Sequence, residues 1–296
     1  MSYSLMTLLP DRGLIEVRGP EAAGFLQGLV TNDVERAHAG EAVFAGLLTP
    51  QGKILFDFLI YVRDAESYWI DCEKPYVGGL AKRLSMYRLR AKVEIADRSA
   101  ELAVGAAWGD EPREGNDAFI AAYADPRYAP LGERIILKHS ASEPANLALS
   151  SSGETAYHSH RISLAVPQGG LDYAFGETFP HEACYDDLHG VDFNKGCYIG
   201  QEVVSRMHHR GTAKTRIAAL SASAPLDGGG AEIRAGNVPV GTIGSMDGKR
   251  GIAMIRLDRV EDAVQKGTPL RVGDITVSVR RPPWASYQVP SHGAEF

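Results

Sequence analysis

The stretch with the most chemical content is residues 195–202, which read KGCYIGQE. Gly200 and Gly211 bracket a segment that reads as a helix from about residue 200 to about residue 209, since glycine is acceptable at an N-cap and favoured just past a C-terminus. Gln201 and Glu202 then fall in its first turn, where the helix dipole favours acceptors and negative charge. Cys197 lies just before that N-terminus and two residues from Lys195. Both features favour a thiolate over a thiol, while Glu202 opposes them. Two readings stand: a functional thiol attended by Lys195, Tyr198, Gln201 and Glu202, or a cysteine packed into a tight turn, free cysteine being among the most buried residue types. Tyr198 either stacks on a ring system or packs.

Arg206, Arg210, Lys214 and Arg216 form a basic run. It suits an anionic tail or a partner's acidic surface, or it is a solvated helix face. His208 and His209, with His181 and His189 nearby, invite a metal reading. Adjacent residues on a helix point to different sides, because same-face neighbours are three or four apart, so no metal site is expected. The three cysteines, Cys72, Cys184 and Cys197, include no CxxC pair. That count and spacing exclude a disulfide framework, an intrachain zinc site of the CxxC type and a four-cysteine iron–sulfur site.

These residues need elements to hold them. Residues 14–17 read as a strand, and Gly19-Pro20-Glu21 opens a helix carrying Ala22, Phe25, Leu26 and Leu29 at helical spacing. Residues 42–48 and 54–62 form a hairpin around the turn Thr49-Pro50-Gln51-Gly52, with Pro second and Gly fourth. A strand at 67–72 precedes a helix from Pro75 with Val77, Leu80, Ala81 and Leu84 on one face; strands follow at 92–96 and 102–107. Residues 110–117 read as a loop, 154–164 as a third helix and 169–180 as turn-rich. Beyond Gly211, short strands at 216–221, 231–234, 238–243, 252–256, 268–272 and 275–280 alternate with Gly-, Asp- and Asn-bearing turns, the pattern of a small antiparallel barrel. The expected class is α+β, with a first region at 1–211 (two subdomains), a barrel at 212–289 and a mobile tail at 290–296. No G-x-G-x-x-G follows a strand, so a dinucleotide fold has no support.

The chain has 296 residues, 44% hydrophobic and 23% charged, with a net charge of −6. The negative charge argues against direct nucleic-acid binding. No segment approaches the roughly 18 apolar residues of a membrane helix. The N-terminus has neither the charged-then-apolar order of a signal peptide nor an Arg-rich amphipathic character. With free thiols that suit a reducing compartment, the expectation is a cytoplasmic monomer without membrane contact.

Residues 195–202, followed by an Arg-containing helix and the Arg210–Gly211 pair, resemble the signature of YgfZ-type proteins, which their eukaryotic mitochondrial relatives share. Residues 25–33 (FLQGLVTND) are similar to the N-terminal motif of this family and of the glycine-cleavage T-proteins. Residues 48–53 (LTPQGK) resemble their shared hairpin, and 241–245 (GTIGS) their barrel motif. The resemblance covers nearly the whole chain; the eight-residue signature is specific, and the other three motifs mark the broader superfamily. It implies a ring-like arrangement of subdomains with a C-terminal antiparallel β-barrel, binding tetrahydrofolate or a derivative. It also implies a role in assembly or repair of iron–sulfur clusters, with Cys197 important, iron–sulfur carrier or client proteins as partners, and no established reaction. Residues 161–165 (RISLA) align with Arg-Leu-Glu-Ala-Gly of T-proteins. That match makes Arg161 a candidate contact for the anionic folate tail, with Arg206 and Arg210 as further candidates, because arginine can grip a carboxylate through two parallel hydrogen bonds. The alternative is a surface or helix-capping arginine. Ser163 stands where T-proteins have their acid, which disfavours aminomethyl transfer, and Ala165 stands in place of Gly. The rival functions are a T-protein-type aminomethyltransferase and a folate-binding factor in tRNA modification.

Overall fold

The computed structural model describes residues 5–109, 119–141, 153–211, 213–227 and 229–290. The expected loop at 110–117 and the tail beyond residue 290 lie outside them. The chain divides into two compact units: Met1–Pro50, Leu55–Tyr157 and His189–Gln201 form the first, and Gln51–Ile54, His158–Leu188 and Glu202–Phe296 the second. Residues 158–188 thus group with the barrel strands.

In the first unit, β1 (Leu5–Leu8) belongs to a four-stranded sheet and β2 (Arg12–Arg18) to a five-stranded one. The five-stranded sheet has the order β3 (Ala42–Leu48), β4 (Ile54–Asp64), β5 (Ser67–Glu73), β2, β6 (Glu94–Asp97). Its core face follows from alternation: Ile15 and Val17 of β2, Phe58 and Ile60 of β4, and Ile70 of β5 are buried together. Onto them pack α1 (Ala22–Gln27) through Leu26 and α2 (Val77–Arg88) through Val77, Leu80 and Leu84. The spacing of three and four is the apolar stripe of an amphipathic helix. Each such side chain contributes roughly 1.5–3 kcal/mol by leaving water. The second sheet runs β1, β7 (Leu102–Trp108), β9 (Glu133–Lys138), β8 (Phe119–Ala124). Tyr61 of β4 stacks on Tyr123 of β8 with ring centroids 5.0 Å apart.

Helix α3 (Gly153–Ser163) crosses the division after Tyr157, and α4 (Gln201–Arg210) crosses it after Gln201; the rest of the second unit includes a closed six-stranded antiparallel barrel. Its order is β10 (Thr215–Ala222), β13 (Arg250–Arg256), β12 (Val238–Asp247), β11 (Glu232–Ala235), β14 (Leu270–Val272), β15 (Ile275–Arg280). Pairing of β15 with β10 closes it. Helix α5 (Leu257–Gln265) packs on the barrel core through Val260 and Ala263.

Candidate functional site

Two buried anchors shape the signature loop. Lys195 is buried, and its ammonium donates to the carbonyls of Gln27 (2.9 Å), Val30 (2.6 Å) and Asn32 (2.7 Å). Tyr198 is buried too, with its ring centroid 5.2 Å from the Lys195 nitrogen, and Ile199 packs on the first unit's core. Between the anchors, Gly196 and Cys197 are exposed. Cys197 is therefore a solvent-facing thiol at the tip of a short pinned loop, and the packed-cysteine reading is replaced. Helix α4 begins at Gln201, after Gly200 takes a left-handed φ of +81° that suits glycine. Gln201 Nε2 donates to the Gly196 carbonyl at 3.4 Å. Glu202 points into solvent and pairs with Arg206 at 3.8 Å.

Burial lowers the Lys195 ammonium to about 8, while Asp33, Asp192 and Glu35 pull it upward. With its protons directed at three carbonyls, Lys195 positions the loop. Burial raises the Tyr198 hydroxyl.

The carbonyls that receive Lys195 belong to residues 25–33, so two motifs far apart in sequence form one structure. The seam continues through Thr31 Oγ1 donating to the Gly190 carbonyl (2.5 Å), Asn32 Nδ2 to the His189 carbonyl (2.6 Å) and the Asp192 amide to the Thr31 carbonyl (3.1 Å). Arg36 bridges Asp33 (3.2 Å) and Asp192 (3.1 Å). Beside this seam lies a cleft of about 520 Å³ lined by Asn32, Asp33, Arg36, Glu41, Tyr123 and Asp192, among others. The sequence reading missed this platform. The polar run Thr31-Asn32-Asp33, placed directly after an apolar helix, was the available signal.

The other candidates are placed elsewhere. Arg161 is only 2% exposed, and its guanidinium donates to Asp172 (2.7 Å), the Val166 carbonyl (2.8 Å) and Ser245 Oγ (2.8 Å). Its carboxylate partner is the chain's own Asp172, at the place where the resemblance implies an anionic ligand. Asp172 also accepts from the amides of Gln168 (2.7 Å) and Ser245 (2.6 Å), tying α3 to β12. Ala165, in the place of a family glycine, has a φ of +53°. Val166 N–H reaches the Arg161 carbonyl and Ala165 N–H the Ile162 carbonyl, the Schellman closure of α3. Of the basic run, Arg216 grips Asp186 with two bonds of 2.7 Å, and Lys214 lies 3.5 Å from Asp258. Arg206 and Arg210 are exposed on α4. His181 and His208 have ring centroids 6.0 Å apart, and His208 and His209 5.8 Å. Burial lowers the His181 imidazole, against the pull of Asp186.

Residues 11–115 match the family described as the GCVT N-terminal domain, and residues 214–287 match the CAF17 C-terminal beta-barrel domain. The crystal structure of glycine cleavage system aminomethyltransferase T from Bartonella henselae superposes with a TM-score of 0.76 over 97% of this chain and 88% of that one. At 18% identity that likeness establishes the fold alone. The chain is thus of the GcvT-like class with a CAF17-type barrel. It is 32% identical over 279 residues to the human iron-sulfur cluster assembly factor IBA57, mitochondrial, and 31% identical over 281 residues to the mouse protein of the same name. Each alignment covers 86% of this chain and 78% of the relative. The chain belongs to the IBA57 family of iron–sulfur cluster assembly factors. The YgfZ-type proteins it resembles are a related family.

The IBA57 homolog of Neurospora crassa is 32% identical over 230 residues, and this chain spans 52% of its length. These relatives carry mitochondrial names, and that corrects the expectation of a cytoplasmic protein. Free thiols select a reducing compartment but do not distinguish the cytosol from the interior of an organelle.

Proposed function

We propose that this protein acts in iron–sulfur cluster assembly by presenting Cys197 to a partner that carries a cluster. The observation that supports this reading most directly is the exposed thiol on a loop pinned by Lys195, in a family whose named members are assembly factors. A cluster held by four cysteine thiolates needs ligands that one exposed thiol does not supply, so the partner provides the rest. The thiol is a soft ligand or a nucleophile in that encounter, and the buried anchors hold it without blocking it. Complementation of a deletion strain tests this. Cys197→Ser should fold and fail to restore iron–sulfur enzyme activity, and full restoration would refute the role of the thiol.

We further propose that a reduced folate binds in the cleft beside the seam. The carboxylates of Asp33, Glu41 and Asp192 line it and offer acceptors for ring N–H donors. Titration calorimetry with tetrahydrofolate should show saturable binding. No heat at millimolar ligand would remove the folate proposal and leave the thiol role standing.

A further inference from the structure

The C-terminal end of α2 has no role in the site described so far, yet it combines three features that a free surface normally avoids. First, Met86 and Leu89 are 60% and 87% exposed. Second, residues 74–93 contain six cations and no carboxylate, in a chain of net charge −6. Five of the six, Lys82, Arg83, Arg88, Arg90 and Lys92, lie between residues 82 and 92, and among the described residues none of these five forms an ion pair. The nearest following acid is the exposed Glu94. Third, Leu89 has φ +45° and ψ −102°. It is the second residue of a tight turn closed by Ala91 N–H to the Arg88 carbonyl at 2.7 Å. Those angles belong to the first central position of a type II′ turn, which glycine dominates. A branched side chain there stores backbone strain, and its exposure leaves it no packing energy in return.

The turn is held in place. Lys92 N–H donates to Glu21 Oε2 at 3.1 Å, and Gly19 lets the Lys92 carbonyl approach so closely that a Cβ would collide with it. Leu89 is thus an exposed apolar knob on a held turn, in a cation-rich segment whose five cations form no ion pair among the described residues. We infer that this tip docks an acidic protein surface with an apolar socket, that of the iron–sulfur carrier that meets Cys197. The inference rests on the proposed function for the identity of the carrier. Charge complementarity selects an acidic partner. A lipid surface is disfavoured because the apolar stripe of α2, Val77, Leu80 and Leu84, lies in the core, leaving two side chains where interfacial helices bury a whole face.

The test uses the intact chain and an acidic [2Fe–2S] carrier protein in its apo form, with calorimetry at low and at moderate salt. Wild-type affinity should weaken as salt rises, and Arg88→Glu with Arg90→Glu should lower it about tenfold or more. Leu89→Gly separates docking from folding. It should raise the melting temperature by about 2 °C, because glycine relieves the strain, while weakening carrier binding about tenfold. Several results would overturn the inference: no carrier binding by the wild type, wild-type affinity in the tip variants, a lower melting temperature for Leu89→Gly, or equal binding to vesicles of anionic phospholipid. Complementation by Cys197→Ser reads the thiol role separately. If that variant complements fully while the tip variants lose binding, the thiol role falls and the docking surface stands. If it fails to complement while the tip variants bind normally, the reverse holds.

Discussion

Cys72, Cys184 and Cys197 differ in what surrounds the sulfur. Burial raises Cys72 far above its ordinary range and Cys184 to about 11, whereas Cys197 faces solvent. Iodoacetamide at neutral pH should therefore label Cys197 first, with Cys72 and Cys184 protected until the protein unfolds. Peptide mapping by mass spectrometry reads the order, and a protected Cys197 would remove the exposed thiol from the mechanism. Lys195 is expected to act on the loop rather than on the sulfur. Lys195→Ala strands three backbone carbonyls and should cost about 2–4 kcal/mol in urea denaturation, several times the effect of an exposed lysine. The importance of residues 195–202 was legible from residue types and glycine placement. The partners of Lys195 were not, because they lie 163 to 168 positions earlier in the chain and no local pattern announces a long-range bond.

Local patterning placed most elements well. The strand expected at 275–280 is β15 itself, and 42–48 is β3. Strands β1, β8 and β9 were not anticipated, since short apolar runs such as FIAAYA and ERIILK carry little periodicity. Helix α5 was missed although Leu257, Val260, Ala263 and Val264 recur at helical spacing, because its neighbours all read as barrel strands. The resemblance implies a ligand for Arg161, and inside the unit its guanidinium pairs with Asp172. Its loss should be severe: Arg161→Met leaves Asp172 buried and unpaired and should cost about 3–5 kcal/mol. Gly244→Ala tests the same node from β12, since a Cβ there collides with Asp172. A melting temperature unchanged by both substitutions would contradict the tie. Asp125 gives a pH signature. Burial pushes its carboxyl up, but Arg127 and Arg134 prevail and hold it at about 2, against an ordinary 3.8. Its stabilisation, about 2–3 kcal/mol, is complete above pH ~4 and drains as pH falls toward about 2. Asp125→Asn should flatten that acid limb in urea melts taken at successive pH values.

For the whole molecule, the distribution of thiols sets what the isolated chain can hold. With two cysteines buried and one exposed, the purified protein should carry less than stoichiometric iron, and a cluster should form only in a mixture with a carrier protein. Metal analysis and visible absorption check this. Cutting the chain after residue 211 should not yield a soluble first half, because residues 158–188 belong to the unit that such a cut divides. Limited proteolysis that released a stable 1–211 fragment would contradict that division. The lysine pin also imposes an order on biogenesis. Residues 27–32 emerge from the ribosome long before Lys195 exists, so the carbonyls that will receive it wait through the synthesis of more than half the chain. Closing a loop that long is entropically slow. The exposed thiol is therefore among the last features the first unit acquires, and a nascent or truncated chain cannot pose Cys197 correctly before the fold that will hold it is complete.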